Sequence, residues 1–241
     1  MSFAYVTLLT SSNYLPGALV LCSSLRKTGT KHAIVLLLCG DFSPQIIQVA
    51  HKHFDRVVVA PTIRSTDTAN LDLLGRPELD ITYSKLHVFD PQILPFDRVC
   101  FLDADVLVLS PIDDIFGFLA PESVEFGASP DIGWPDCFNS GVFITKPSKR
   151  LFNSLTDFSR TNASFDGGDQ GLLNAFFNDW PTRTPTLAVR IPFIYNVTPT
   201  AFYSYMPAFA KYKAQIKTIH FVGKKKPWNW SRYPTGQIID S

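Results

Sequence analysis

The segment that most restricts the fold is Ala33 to Cys39, AIVLLLC, in which no polar residue interrupts the apolar run. A strand with both side-chain faces apolar has to be covered on both, the situation of a parallel sheet flanked by helices. The surrounding chain repeats the unit. Phe3 to Leu9 reads as a strand, and Pro16 and Gly17 open a helical pattern of Leu19, Cys22, Leu25 and Arg26 that stops at Gly29. Ser43 and Pro44 supply an N-cap and a first-turn proline ahead of an apolar stripe of Ile46, Ile47, Ala50 and Phe54, and Val57 to Ala60 is a further short strand. Such alternation specifies an α/β fold with an open, mostly parallel sheet, whose ligands bind beyond the carboxyl ends of the strands. Thr62 to Thr82 is polar and irregular and reads as a long connection over the sheet edge. A helix is expected over Tyr83 to Phe89 and a strand over Arg98 to Leu102, and past Pro111 clean repeats become fewer.

The chain has 241 residues and no compositional break, so a single domain is expected. Its net charge of +1 provides no global field for nucleic acid or an anionic membrane, and neither is expected as a partner. Any anion must therefore be held by a local cluster. Cys22, Cys39, Cys100 and Cys137 form no C-x-x-C pair and read as buried free thiols rather than a zinc module or disulfide framework. Met1 leads almost at once into the first strand, without a basic leader or an apolar run of about 18 residues, so a cytoplasmic location is expected.

The expected strand at Arg98 runs into VCFLDADVLVL, where Asp103 and Asp105 interrupt an apolar run. Strand residues alternate with period two, which puts the two carboxylates on one side of the backbone. Like charges so placed repel, and one is pushed toward protonation unless a cation lies between them. Mg²⁺ or Mn²⁺ suits such oxygen ligands and retains positions for a substrate's phosphates. Two other readings stay open at this point: exposed turn aspartates, and a phosphatase-type nucleophile, for which the Val106 and Leu107 that follow are a poor match.

KTIHFVGKKKPW places His220 in a β-like run before Gly223 and Lys224 to Lys226. A neutral imidazole can complete a metal site, a glycine lets backbone approach a phosphate, and a lysine neutralises it. By itself His220 reads more readily as a core histidine than as a ligand, and the lysines as a solvated turn. FDGGDQGLLN puts Asp166 and Asp169 at the start of an amphipathic helix, where Asp166 is as readily a cap as a ligand, and Gly167 and Gly168 suggest something close to the backbone. Asn139, Ser140 and Gly141 are small groups ahead of the strand Val142 to Thr145, and Lys85 is indistinguishable from a surface lysine on such grounds.

Taken together, YVTLLTSSNYLPGALVL, RPEL, SKLH, FLDADVLVL, PDIGWPDCFNSGVF, SFDGGDQGLLN, PFIYN, YSYMPAF and HFVGKKKPWN resemble the glycogenin family of retaining glycosyltransferases, in order and over nearly the whole chain. The resemblance implies a GT-A fold within one domain, residues 1–241. A Rossmann-like nucleotide-binding half, 1–110, is fused to an acceptor-binding and metal-completing half, 111–241. It implies Mn²⁺, with Mg²⁺ as the alternative, held by Asp103, Asp105 and His220, and a UDP-sugar donor, UDP-glucose or UDP-galactose. Leu8, Thr10, Ser11 and Tyr14 match positions that hold the uridine, Arg76 and Ala104 others near the nucleotide, and Gly223 and Lys226 the diphosphate contacts. Lys85, Asp131, Asn139, Ser140, Asp166, Gly168, Asp169 and Gln170 match positions around the donor sugar. Asp169 is the candidate nucleophile of a two-step route, or with Gln170 a stabiliser of an oxocarbenium-like state in a front-face route; the sequence leaves both open.

The same resemblance implies that Tyr203 receives the first glucose, on which a short α-glucan grows. On composition alone Tyr203 is an ordinary aromatic in a chain with 8 tyrosines and 20 phenylalanines. The acceptor is thus the protein itself, a glucan or another glycoprotein, and a homodimer is implied. The chain ends at Ser241, soon after KPWNW, and docking to glycogen synthase is not expected of these residues.

Overall fold

The computed structural model describes residues 1–133, 135–182, 187–199, 206–232 and 238–240. A central sheet has the strand order β3-β2-β1-β4-β7-β6-β8. Its strands are β1 (Phe3–Leu9), β2 (Ala33–Leu38), β3 (Arg56–Val59), β4 (Arg98–Leu102), β6 (Phe126–Pro130), β7 (Phe138–Thr145) and β8 (Ala188–Arg190). The first four are mutually parallel, β7 runs antiparallel to both β4 and β6, and β8 is parallel to β6. β5 (Val106–Val108) pairs antiparallel with β9 (Thr218–His220) beside this sheet, and β10 (Ser231–Arg232) pairs with β11 (Ile238–Asp240).

The apolar runs divide between two cores as strand alternation requires. Ala4, Val6 and Leu8 with Val35, Leu37 and Cys39 pack into one; Tyr5 and Leu9 with Ile34, Leu36 and Leu38 pack into the other. The first core also takes Phe89, Phe101, Phe126, Phe143 and Phe177, whose stacked rings include Phe126 and Phe177 at 4.0 Å between centroids. β2 is therefore covered on both faces, Ile34, Leu36 and Leu38 belonging to the core that holds Leu21, Leu25 and Ala50, and Val35 and Leu37 to the one that holds those phenylalanines.

The helices are α1 (Leu15–Lys27), α2 (Pro44–His53), α3 (Thr68–Leu74), α4 (Lys149–Thr161), α5 (Asp169–Phe176) and α6 (Met206–Tyr212). Ser43 and Ser148 cap α2 and α4 through their hydroxyls, and Gly29 follows α1 with φ +85°. Three expectations need correction. Thr62 to Thr82 is not an unstructured connection: Asp67 caps α3, and Gly75 ends it in the left-handed conformation, φ +65°. The helix expected over Tyr83 to Phe89 begins at Pro77 and is 3-10 throughout. Finally, Cys137 is only half-buried, whereas Cys22, Cys39 and Cys100 are buried free thiols. Among the described residues no helix is long and apolar enough to cross a membrane.

Candidate active site

A cavity of about 840 Å³ opens beyond the carboxyl ends of β1 and β4. β1 and the turn after it contribute Leu8, Thr10, Ser11 and Tyr14, and the 3-10 run with the residue that precedes it contributes Lys85 and Arg76. Asp103, Ala104 and Asp105 come from the β4–β5 turn, and Asp131, Asn139 and Ser140 from the end of β6 and the start of β7. Asp166, Gly168, Asp169 and Gln170 line it at the start of α5, and His220 and Lys226 at and after β9. Gly223 is not among the lining residues, and Tyr203 lies outside the described residues.

The two aspartates converge for a reason other than strand alternation. β4 ends at Leu102, and a turn closed by Val106 N–H donating to Asp103 O (3.0 Å) carries Ala104 and Asp105. Asp103 N–H donates to Gly141 O at 2.8 Å, which anchors the turn on β7. Val106 then pairs with His220 across the β5–β9 ladder, while Phe221 N–H donates to Asp105 O at 3.0 Å. Register thus delivers a histidine from more than a hundred residues away to the acidic turn.

His220 Nε2 lies 3.2 Å from Asp105 Oδ1 and 3.8 Å from Asp103 Oδ2, and ligand atoms of the three residues all fall within 4.8 Å of one another. The imidazole rests over Gly141, where a β-carbon would stand 2.1 Å from His220 Cε1. Two carboxylates and one imidazole nitrogen so grouped fit a divalent ion of the Mn²⁺ or Mg²⁺ type. Lys226 Nζ, buried, donates to Asp105 Oδ2 at 2.6 Å and to Phe221 O at 2.8 Å. Burial alone would raise the Asp105 carboxyl, but His220 and Lys226 outweigh it and hold that carboxyl well below the usual range. Burial pushes the Asp103 carboxyl up, and repulsion from Asp105 adds to this. The pair therefore splits as two adjacent carboxylates must.

Facing the pair, Lys85 Nζ lies 3.0 Å from Asp103 Oδ1 and 2.8 Å from Asp169 Oδ2. Three residues per 3-10 turn put Thr82 and Lys85 on one face, so Thr82 Oγ1 accepts from Asp169 N–H at 3.2 Å while Lys85 pairs with its carboxylate. Burial opposes the charge on Lys85, but Asp103 and Asp169 outweigh it and raise the ammonium above its ordinary value. Gln170 Nε2 donates to Asp131 Oδ2 at 2.8 Å, its Oε1 accepts from Ser140 N–H at 3.2 Å, and Asn139 Nδ2 donates to the same Asp131 oxygen at 3.4 Å. The result is a wall of oriented polar groups, suited to a ligand with several hydroxyls.

Asp166 turns out to cap: its Oδ1 accepts from Gly168 N–H, Gly171 N–H and Ser164 Oγ at 2.8 to 3.0 Å. What approaches Gly167, φ +75°, is the protein itself, since a β-carbon there would lie 2.6 Å from Leu71 Cγ. Arg76 is ion-paired with Glu78 at the cavity wall, and Tyr14 stands beside it with Lys226 5.7 Å from its ring centroid. Two positions carry more than the sequence suggested, Gly141 beneath the imidazole and Asn196 beside it. Gly141 sits in the N-S-G run before β7, where small size was the available signal; Asn196, within PFIYN, carried none without its partners.

The family model described as glycosyl transferase family 8 matches residues 5–231. Glycogenin-1 of Homo sapiens is 42% identical over 99% of this chain and 65% of its own length. Glycogenin-1 of Caenorhabditis elegans is 44% identical over 96% of this chain and 52% of its own. Glycogenin-1 of Mus musculus is 44% identical over 98% of this chain and 68% of its own. This chain thus spans roughly half to two thirds of these relatives. Among solved structures, galactosyltransferase LgtC in complex with donor and acceptor sugar analogues has TM-score 0.61 at 18% identity, covering 98% of this chain and 91% of that one. The apo glycosyltransferase GlyE of Streptococcus pneumoniae TIGR4 has TM-score 0.63 at 19% identity, covering 95% and 56%. The fold is GT-A.

Proposed function

The chain belongs to glycosyl transferase family 8, and within it groups with the glycogenins; from that premise we propose a retaining, UDP-hexose-dependent glucosyltransferase that glucosylates its own Tyr203 and then extends the α-glucan. The observation that carries the reading is the meeting, in one cavity, of Asp103, Asp105 and His220 with the Lys85–Asp169 pair. Phosphate-binding and sugar-binding chemistry are thereby adjacent, as transfer from a nucleotide sugar requires.

Asp103, Asp105 and His220 would hold Mn²⁺, or Mg²⁺, which when bound supplies positive charge against the departing diphosphate. Lys226 adds charge on the same side, and this electrostatic stabilisation of a leaving UDP is the largest contribution expected of the site. Leu8, Thr10, Ser11, Tyr14 and Arg76 hold the nucleotide. Lys85, ion-paired with Asp169 at 2.8 Å, holds that carboxylate in place. Asp169 then serves as nucleophile at the anomeric carbon, or stabilises developing positive charge there with Gln170, and either course retains configuration. Asp131, Asn139 and Gln170 orient the hexose hydroxyls. A cytoplasmic homodimer belongs to the same proposal.

Intact mass spectrometry after incubation with UDP-glucose and Mn²⁺ tests it. The expected result is a ladder of hexose additions that Tyr203→Phe abolishes. A ladder unchanged in Tyr203→Phe overturns the acceptor. UDP release only with an added glycan or protein, or only with UDP-galactose, reassigns acceptor or donor. No release with either donor overturns the enzymatic reading.

A further inference from the structure

Asn196 lies outside every set of residues discussed for donor or metal, yet it is 1% exposed and touches the metal-facing histidine. Its backbone is held from both sides. Asn196 N–H donates to Phe193 O at 2.9 Å, closing the 3-10 turn Phe193–Tyr195, and the next residue accepts His220 N–H at Val197 O, 2.8 Å. The side chains of 196 and 220 are therefore fixed relative to each other through the main chain as well as directly.

The proton on His220 follows from a group whose role is not adjustable. Gly141 N–H can only donate, and it does so to Asn139 Oδ1 at 3.0 Å. Asn139 Oδ1 is thus an acceptor, so the Asn196 atom 2.9 Å from it is the amide nitrogen. Asn196 Oδ1 then faces His220 Nδ1 at 3.0 Å, and Nδ1 carries the hydrogen. Nε2 is left to present its lone pair to a cation between the aspartates. We infer that Asn196 is a positioning residue that holds His220 in the Nδ1–H tautomer with Nε2 aimed at Asp103 and Asp105. Because Asn139 also donates to Asp131 Oδ2, which accepts from Gln170, one chain of carboxamides joins the histidine to the sugar-facing wall. A histidine ligand oriented by its other nitrogen is typically worth 10–100-fold in metal affinity, about the effect expected here.

This inference rests on the metal reading above, and its test does not use turnover. Mn²⁺ is titrated into the purified protein without donor, with free Mn²⁺ read by electron paramagnetic resonance. Asn196→Leu is expected to weaken Mn²⁺ binding about 10–100-fold. Asn196→Asp, which keeps an acceptor for Nδ1–H but loses the donor to Asn139 Oδ1, is expected to lose less Mn²⁺ affinity than Asn196→Leu, a partial rescue that mere packing would not give. Saturating Mn²⁺ should restore UDP affinity to Asn196→Leu, because the defect acts through the ion. If Asn196→Leu does not fold, Asn196→Ala carries the same expectation. Parental Mn²⁺ affinity in the Leu or Ala variant, or equal loss in the Asp variant, overturns the inference while leaving the metal site standing. Absence of Mn²⁺ binding by the parent protein overturns both.

Discussion

Gly141 shows how one missing methyl group governs the acidic turn. Its N–H is committed to Asn139 and its carbonyl to Asp103, so the backbone cannot withdraw from a β-carbon that would stand 2.1 Å from the imidazole. Gly141→Ala should therefore displace His220 rather than the strand. The expected outcome is a loss of more than about tenfold in donor turnover, from the displaced ligand, with an overpacking cost of about 1–3 kcal/mol. UDP-release rates and urea midpoints measure the two effects separately, and turnover equal to the parent would refute the arrangement. At this scale the sequence showed which residue types were available: the D-x-D pair, His220 and Lys226 were readable because carboxylates, imidazole and ammonium carry their chemistry with them. Asn196 and Gly141 were not, since a carboxamide or a glycine acquires its role only from what stands beside it.

At the scale of elements, β1, β2 and β4 are where their patterns put them, because a strand buried on both faces announces itself in an unbroken apolar run. Past Pro111, α4 carries a local signal of its own, Ser148 as cap with Leu151 and Leu155 buried one turn apart. The run Pro77–Phe89 extends six residues ahead of the helix expected from Tyr83, and its 3-10 geometry has no sequence signal of its own, since residues three apart share a face in 3-10 and α-helix alike. One junction between elements titrates. Asp55, after α2, accepts from Ile34 N–H at 2.7 Å and pairs with Arg26 of α1. Burial would raise its carboxyl, but the Arg26 guanidinium and the Ile34 amide outweigh this and lower it. A lowered folded-state value gives stability that is present above the unfolded value of about 3.9 and is lost as pH falls through the folded one. Asp55→Asn should accordingly be less stable than the parent at pH 7 by about 1 kcal/mol or less, the pair being 38% and 45% exposed. Urea midpoints of the two proteins should converge below about pH 4, and a gap that persists in acid would exclude the charge as its origin.

For the whole molecule, the cavity draws on β1, the 3-10 run, the β4–β5 turn, β7, α5 and β9, so a ligand that bridges them ties both ends of the chain together. UDP with Mn²⁺ at a hundredfold excess over Kd should add about 2.7 kcal/mol, a Tm rise of about 5–10 °C for a protein of this size. Chelation with EDTA should abolish that rise, and a shift with UDP that ignores EDTA would separate nucleotide binding from the metal. What the sequence determined by itself was the parallel half of the sheet, β1 to β4, with β2 an apolar run that admits only double coverage, and the chemical inventory of the site. Only tertiary structure decided its geometry. The aspartates meet in a turn and not on a strand, and the β5–β9 register brings His220 across to them. Asp166 is used up in capping α5, and which histidine nitrogen bears the proton depends on a backbone amide at Gly141. Each of these is a relation between segments far apart in the chain, set by register and hydrogen-bond closure, and periodicity within a segment holds no record of it.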